Sequence, residues 1–184
     1  LNLTDKKNIY NLSSKLNLSS LKKNQQNEFG FLSALNFSKI NGNFRFSLGN
    51  YIESHKYDHN DLGYLQDNNE VVSYGGLGYY IFEPIGHIIK ANTEFFADHK
   101  MLYQPFEYKQ LKLESNTHIV WRNHLFTGLN FRYHFEEHDY NEAREDDRVF
   151  IIAPHFNTSF FTSSDYRKKF ALDTRIGIKY TEQN

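Results

Sequence analysis

Apolar and polar positions alternate with period two along most of the chain. No stretch sustains the i, i+3, i+4, i+7 spacing of an amphipathic helix. In "HLFTGLNFRYHF", residues 124–135, Leu125, Thr127, Leu129, Phe131, Tyr133 and Phe135 fall on one side of an extended strand. Phe126, Gly128, Asn130, Arg132 and His134 fall on the other, because successive Cβ atoms point to opposite faces. The same two-sided pattern recurs at 10–19, 29–38, 44–49, 71–82, 89–98, 111–122, 151–162 and 170–180, and Leu1 and Leu3 read as the tail of an earlier strand. The pattern predicts an all-β chain of about ten strands, one of them partial.

The connections carry a second regularity: they alternate short and long. Short ones fall at 4–7, at Asn41-Gly42 (a two-residue hairpin signal), at 83–86 around Pro84, at 122–124 and at 163–169. Long or polar ones fall at 21–26, 54–69, 103–106 and 136–148. An antiparallel up-and-down meander with tight turns at one end and long loops at the other is the arrangement of a transmembrane β-barrel. Strands of about ten residues are long enough to cross a bilayer when tilted. On that expectation residues 1–184 are part of one transmembrane β-barrel domain, an incomplete set of strands from a larger barrel, because an open arc leaves two edges unsatisfied in lipid.

Composition sharpens this picture. Aromatics make up 17% of the residues, with 17 Phe and 13 Tyr, yet the mean hydropathy is −0.68. A soluble β-sandwich explains period two equally well, with the apolar face packed and the polar face wet. The apolar faces, however, mix Ser, Thr, Ala and Gly with aromatics, which lipid tolerates better than a dense core does. Tyr10, Tyr51, Tyr79, Tyr80, Trp121, Tyr133 and Tyr180 gather near strand ends as an aromatic girdle would. The net charge of −1 gives no basic face for nucleic acid. With no Cys, neither a disulfide framework nor a thiolate zinc site is possible. No basic segment followed by an apolar one marks a signal peptide, and the only Met is Met101. The expectation is an internal piece of a longer protein with its export signal elsewhere.

The loop Tyr57-Asp58-His59-Asn60-Asp61-Leu62-Gly63-Tyr64-Leu65-Gln66-Asp67-Asn68-Asn69, the Phe82-Glu83-Pro84 turn, the run Asp139-Tyr140-Asn141-Glu142-Ala143-Arg144 and the segment from Ser164 to Asp173 occur in one order across most of the chain. Together they resemble the C-terminal barrel region of an uncharacterised family of Bacteroidota outer-membrane proteins. Those proteins carry an N-terminal module similar to family 9 carbohydrate-binding domains. Ala143 stands where that family usually carries Pro. The resemblance implies a location in the cell outer membrane, with membrane lipid, glycans and other outer-membrane proteins as partners. It also implies a role in surface glycan binding, transport or assembly of a membrane complex.

Candidate chemistry is sparse. His134-Phe135-Glu136-Glu137-His138 spells H-x-x-E-H, but that zinc-protease motif needs a helix. On a strand His134 and His138 sit about 13 Å apart, too far to share an ion, so no metal site and no cofactor are predicted. Asp58, Asn60, Asp61, Asp67 and Asn68 form the candidate binding loop. It departs from a calcium loop at Leu62 and Asn69, and side-chain turns to the backbone account for its Asn and Asp content equally well. Glu136, Glu137, Asp139, Glu142, Glu145, Asp146 and Asp147 read as a solvated exterior loop or as a place for divalent bridging to lipopolysaccharide. Arg45, Lys112, Glu114, Asn130, Arg132 and Arg175 are placed on the lumen side, where cross-strand pairing is the plain expectation and permeation the sharper one. No catalytic constellation is convincing, and a barrel-embedded hydrolase would have to draw on His55, His59 or His138 with nearby acids. The expectation is a non-enzymatic outer-membrane barrel, with a soluble β-sandwich interaction domain and the barrel-embedded hydrolase as the alternatives.

Overall fold

In a computed structural model of the chain, residues 1–23, 26–58, 68–140 and 148–182 are described. The strands in chain order are β1 (Asn2–Thr4), β2 (Tyr10–Lys23), β3 (Gln26–Lys39), β4 (Phe44–Glu53), β5 (Glu70–Ile81), β6 (Ile88–Leu102), β7 (Tyr108–Trp121), β8 (Phe126–His134), β9 (Glu137–Asp139), β10 (Phe150–Ile152), β11 (His155–Ser163) and β12 (Asp173–Thr181). Ten of them form one antiparallel up-and-down sheet in the order β1-β2-β3-β4-β5-β6-β7-β8-β11-β12, and β9 pairs with β10 alone. Among the described residues there is no helix, and β1 and β12 are not joined to each other. Among the described residues no helix is long and apolar enough to cross a membrane, a fact that does not bear on crossing by strands.

The connection expected as long at 21–26 is instead strand up to Lys23 and again from Gln26, because the β2–β3 ladder continues to the Lys23–Gln26 pair. Two further boundaries differ from the sequence expectation, each for a local reason. The segment 151–162 was expected as one strand, yet β10 ends at Ile152 and β11 begins at His155. Pro154 lies between them and has no N–H to give to a ladder. The last strand begins at Asp173 rather than Phe170, because the preceding turn captures its own backbone. Ser164 N–H donates to the Leu172 carbonyl (3.0 Å) and Leu172 N–H donates to Ser164 Oγ (2.6 Å). Phe170 and Leu172 are therefore turn residues, and both are exposed. The connection after β8, expected as a polar loop, instead carries the β9–β10 hairpin.

The register keeps the alternation of every strand in phase with its neighbours. One continuous rung runs Gly49–Tyr74–Asp98–Lys112–His134–His155–Thr181, and the next Gly76–Phe96–Glu114–Arg132–Asn157–Lys179. Because paired residues share a face, these rungs build one polar face and the intervening ones build an apolar face. The apolar face is the exposed one: Leu18 is 77% exposed, Phe29 69% and Ile176 63%. Only Leu32 and Tyr57 are buried hydrophobic residues among those described. The buried glycines, Gly30, Gly76, Gly78 and Gly128, and the buried Glu53 and Ser38 belong to or border the polar face. This is the reverse of a soluble sheet packed on a core. Tyr51 and Tyr80, expected in an aromatic girdle, lie on the polar face, where they donate hydrogen bonds to Glu53 and Glu94. Tyr10, Tyr79, Trp121, Tyr133 and Tyr180 fall on apolar rungs.

Two glycines permit close approaches that shape the polar face. Gly128 lies opposite Phe161, and a Cβ there would meet the Phe161 ring at 2.1 Å. Gly30 lets the backbone of Lys56 and Tyr57 lie directly on β3, since a Cβ would meet those atoms at 2.3 Å. The chain leaving β4 thus turns back over the polar face. Ser54 N–H donates to the Phe31 carbonyl, Phe31 N–H donates to Ser54 Oγ, and the Asn17 amide donates to the Tyr57 hydroxyl.

The short turns are held by carboxylates. Asp5 Oδ1 accepts from the N–H groups of Ile9 (2.6 Å) and Tyr10 (2.7 Å), and Oδ2 accepts from Lys7 (3.2 Å). Asp165 accepts from Nε and Nη2 of Arg167, each at 2.8 Å. The Tyr10 amide is the largest influence on Asp5 and the Arg167 guanidinium the largest on Asp165; both carboxyls titrate below their usual range.

Two outcomes follow from this packing. Gly128→Val should lower stability by about 1–3 kcal/mol, the usual cost of overpacking, read as a fall in the denaturant midpoint. Phe161→Ala in the same chain should recover part of the loss. A depressed folded-state pKa contributes stability above the unfolded value and loses it as pH falls through the folded one. The Ile9 and Tyr10 amides should therefore stay protected from exchange between pH 8 and 5 and open only below about pH 4, with Asp5→Ala opening them at every pH.

Candidate functional site on the polar face

Among the described residues, the polar face links four charged side chains of β6, β7 and β8. Lys112 on β7 sits between two carboxylates, Asp98 at 3.0 Å across the β6–β7 rung and Glu114 at 3.0 Å two residues along its own strand. Glu114 in turn accepts from Arg132 Nε at 2.8 Å, across the β7–β8 rung. Asp98, Lys112, Glu114 and Arg132 thus form one chain of alternating sign over three strands. This answers the expectation of cross-strand pairing for three of the six lumen candidates. Arg45 and Arg175 are placed elsewhere on the face and rest on aromatic rings. Arg45 lies 4.7 Å from the Tyr80 ring centre and 5.2 Å from that of Phe82, and Arg175 lies 5.6 Å from that of Phe161. Such stacking keeps a guanidinium solvated on its edge while its face is covered.

Asn130, the sixth, lies beside a cleft of about 140 Å³ lined by Glu114, Asn116, Asn130, Arg132, Asn157 and Ser159. Its Oδ1 is buried with no hydrogen-bond partner. Three amides, a carboxylate, a guanidinium and a hydroxyl converge there from β7, β8 and β11. A buried amide oxygen without a partner is costly, and the cleft beside it is lined by groups that donate and accept hydrogen bonds.

The predicted binding loop is only partly visible. Asn60, Asp61 and Asp67 lie outside the described residues, as do His59 and, in the acidic loop, Glu142, Glu145, Asp146 and Asp147. Asp58 N–H donates to Ser19 Oγ (3.2 Å). The Asn68 amide donates to the carbonyls of His55 and Tyr57, each at 3.1 Å, and so fastens the returning chain over β3.

At the long-loop end of β7, β8 and β11 a second cluster forms that the sequence did not announce. Lys109 is the extra residue of a bulge opposite Lys100 and Met101, and it reaches Glu70 at 2.6 Å. Its neighbour Gln110 donates its amide to Glu137 Oε1 at 2.8 Å and lies 3.2 Å from His134 Nδ1. His134 Nδ1 also contacts Glu137. The His134 ring stacks on that of His155, with centres 4.4 Å apart. His134, Glu137 and His155 each present a donor atom, all within 4.8 Å of one another; they are the one such trio of potential metal ligands among the described residues. His138 is engaged elsewhere, with Glu136 at 3.0 Å and the Tyr108 ring at 5.3 Å. The trio escaped sequence reasoning because His155 enters only through the β8–β11 register, across the whole connection from 135 to 154. The one signal was His155 directly after Pro154, at the head of an alternating run.

The model of the family described as "Domain of unknown function (DUF5916)" matches residues 1–184. The chain belongs to this DUF5916 family. No curated protein and no solved structure matches it.

Removing the centre of the charge chain should be costly. Glu114→Ala leaves Arg132 without its acceptor and Lys112 with Asp98 alone, and should lower stability by about 1–3 kcal/mol. Arg132→Ala, at a half-exposed position, should cost about 1 kcal/mol or less. A double-mutant cycle on the two in denaturant unfolding should return a favourable coupling; additive losses would show that the pair stands apart.

Proposed function

We propose that this chain forms part of an outer-membrane β-barrel whose apolar face meets lipid and whose polar face lines the lumen. Its role is surface glycan binding, transport or assembly of a membrane complex. The observation that carries this reading is the reversal of the two faces. Most leucine, isoleucine and phenylalanine side chains of the sheet stand exposed on one face, while Lys112, Glu114, Arg132 and the buried glycines Gly30, Gly76, Gly78 and Gly128 lie on the other. In water an exposed apolar surface of this extent marks an interaction face; spread over every strand of a ten-stranded meander, it is what hydrocarbon would cover. The strand lengths support the same reading, since β2, β3, β6 and β7 have 14 or 15 residues, enough for a tilted span. In lipid the edges β1 and β12 must pair with further strands, because no water is present to satisfy them.

The likeness to Bacteroidota barrels with a sugar-binding-like module supports glycans as the substrate class. So does the amide-rich cleft around Asn130, since amides, carboxylates and guanidinium groups are the partners that sugar hydroxyls take.

The reading is checked with nitroxide labels in the full chain reconstituted in vesicles. Labels at Leu129 and Ile176 should be readily reached by oxygen dissolved in the acyl region and poorly by a water-soluble nickel chelate, and a label at Asn157 should show the opposite. Labels at Leu129 and Ile176 buried against protein, or a chain that stays monomeric in buffer without detergent, would overturn it.

A further inference from the structure

We propose that His134, Glu137 and His155 bind one divalent transition-metal ion of the zinc class, clamping the long-loop ends of β8 and β11 to the β9–β10 hairpin. The site does not depend on what covers the apolar face. His134 and His155 are Cα partners across the β8–β11 rung, so their imidazoles leave the backbone side by side on one face. Glu137 returns to them three residues after His134, at the first position of β9. Three ligands therefore arrive from three strands, which fixes their directions better than three positions on one loop would.

Neighbouring groups set the His155 tautomer and hold Glu137 beside His134. His155 Nδ1 lies 3.2 Å from the Ala153 carbonyl oxygen. A carbonyl can only accept, so that nitrogen carries the proton and Nε2 keeps its lone pair. A backbone carbonyl that sets the tautomer of a histidine is a regular companion of metal ligation. The Gln110 amide donates to Glu137 Oε1 (2.8 Å) and holds the carboxylate towards His134. The three side chains are half-buried, so an ion reaches them without unfolding the rim.

Two imidazoles and one carboxylate favour zinc, nickel, cobalt or copper over magnesium or calcium, which prefer all-oxygen shells. Ligand atoms around a tetrahedral zinc with bonds of about 2.0–2.1 Å stand about 3.3 Å apart. Donor atoms already lie within 4.8 Å, but the two imidazole planes are stacked at 14°, so binding turns the rings out of that stack until both in-plane lone pairs meet one ion. Three protein ligands leave a fourth position for water or an external ligand, the arrangement of an open site rather than a closed structural one. The alternative is a histidine–carboxylate hydrogen bond beside two stacked rings, with no ion.

The test titrates zinc chloride into the full chain in detergent after chelator treatment and follows the bound ion by zinc-edge X-ray absorption. One zinc per chain is expected, with scattering from two imidazoles, and neither magnesium nor calcium should displace it. His155→Gln and Glu137→Gln should each weaken binding at least tenfold, His155→Gln should leave one imidazole in the spectrum, and Gln110→Ala should weaken binding about tenfold. His138→Gln should leave affinity and spectrum unchanged. Absence of stoichiometric binding, a wild-type spectrum with fewer than two imidazoles, or binding that survives His155→Gln unaltered would each overturn the proposal. The wild-type spectrum decides the matter even where a variant fails to fold.

Discussion

Hydrogen bonding between adjacent strands decides which side chains share a face, and in this molecule that constraint governs everything else. A slip of one residue in any ladder would exchange the two faces of that strand. From β2 to β12 the ladders hold one phase: Leu129, Thr117 and Thr93 continue one rung on the apolar side, while Arg132, Glu114 and Phe96 continue another on the polar side. The two bulges, at Ile88/Lys90 and Lys100/Met101, sit at opposite ends of the β6–β7 ladder and leave its centre in register. Phase is kept where the charge chain lies and relaxed at the margins, where Lys109 gains access to Glu70.

The polar face then has to accommodate large rings and charges in limited space. Aromatic side chains on it lie over glycines of the neighbouring strand: Phe161 over Gly128, and Tyr74 over Gly49. The ring supplies the surface that glycine lacks, and glycine gives the ring room to lie flat. Four of its charges are linked in sequence, from Asp98 through Lys112 and Glu114 to Arg132. The Asn130 oxygen stands apart from this accounting because it has no partner, and it does so beside a cleft already rich in hydrogen-bonding groups.

The architecture was legible in the sequence because period two and turn chemistry are local. A turn forms around Asn41-Gly42, although it spans residues 40–43 rather than two residues, and the alternation of 124–135 is realised between Phe126 and His134. Boundaries failed where a local feature ended the ladder: Pro154 between β10 and β11, and Ser164, which holds Leu172 just before the start of β12. Faces were legible to the same degree, apart from Tyr51 and Tyr80, which proximity to strand ends placed in a girdle but whose rung parity places with Glu53 and Glu94. Individual pairings within the polar face were not legible. Arg45 and Arg132 look alike in sequence, yet one rests on rings and the other on a carboxylate, because only the register says which neighbour lies opposite.

The same geometry explains why metal-ligand chemistry could not be read from a motif. Along one strand, residues on the same face recur about every 6.6–6.8 Å, too far apart for three of them to meet on one ion. H-x-x-E-H in an extended chain is thus a misleading pattern when its two histidines are taken together. A meander can gather ligands only by adding the rung to the strand: His134 meets His155 because they are opposite, and Glu137 joins because the chain turns into β9 immediately beyond. Such convergence requires a strand end, an adjacent strand and a returning segment together, and these coincide at the long-connection end of β8 and β11. In a sheet of this kind the centre of the face is suited to extended hydrogen-bonding surfaces, while compact ligand sets belong at its rim.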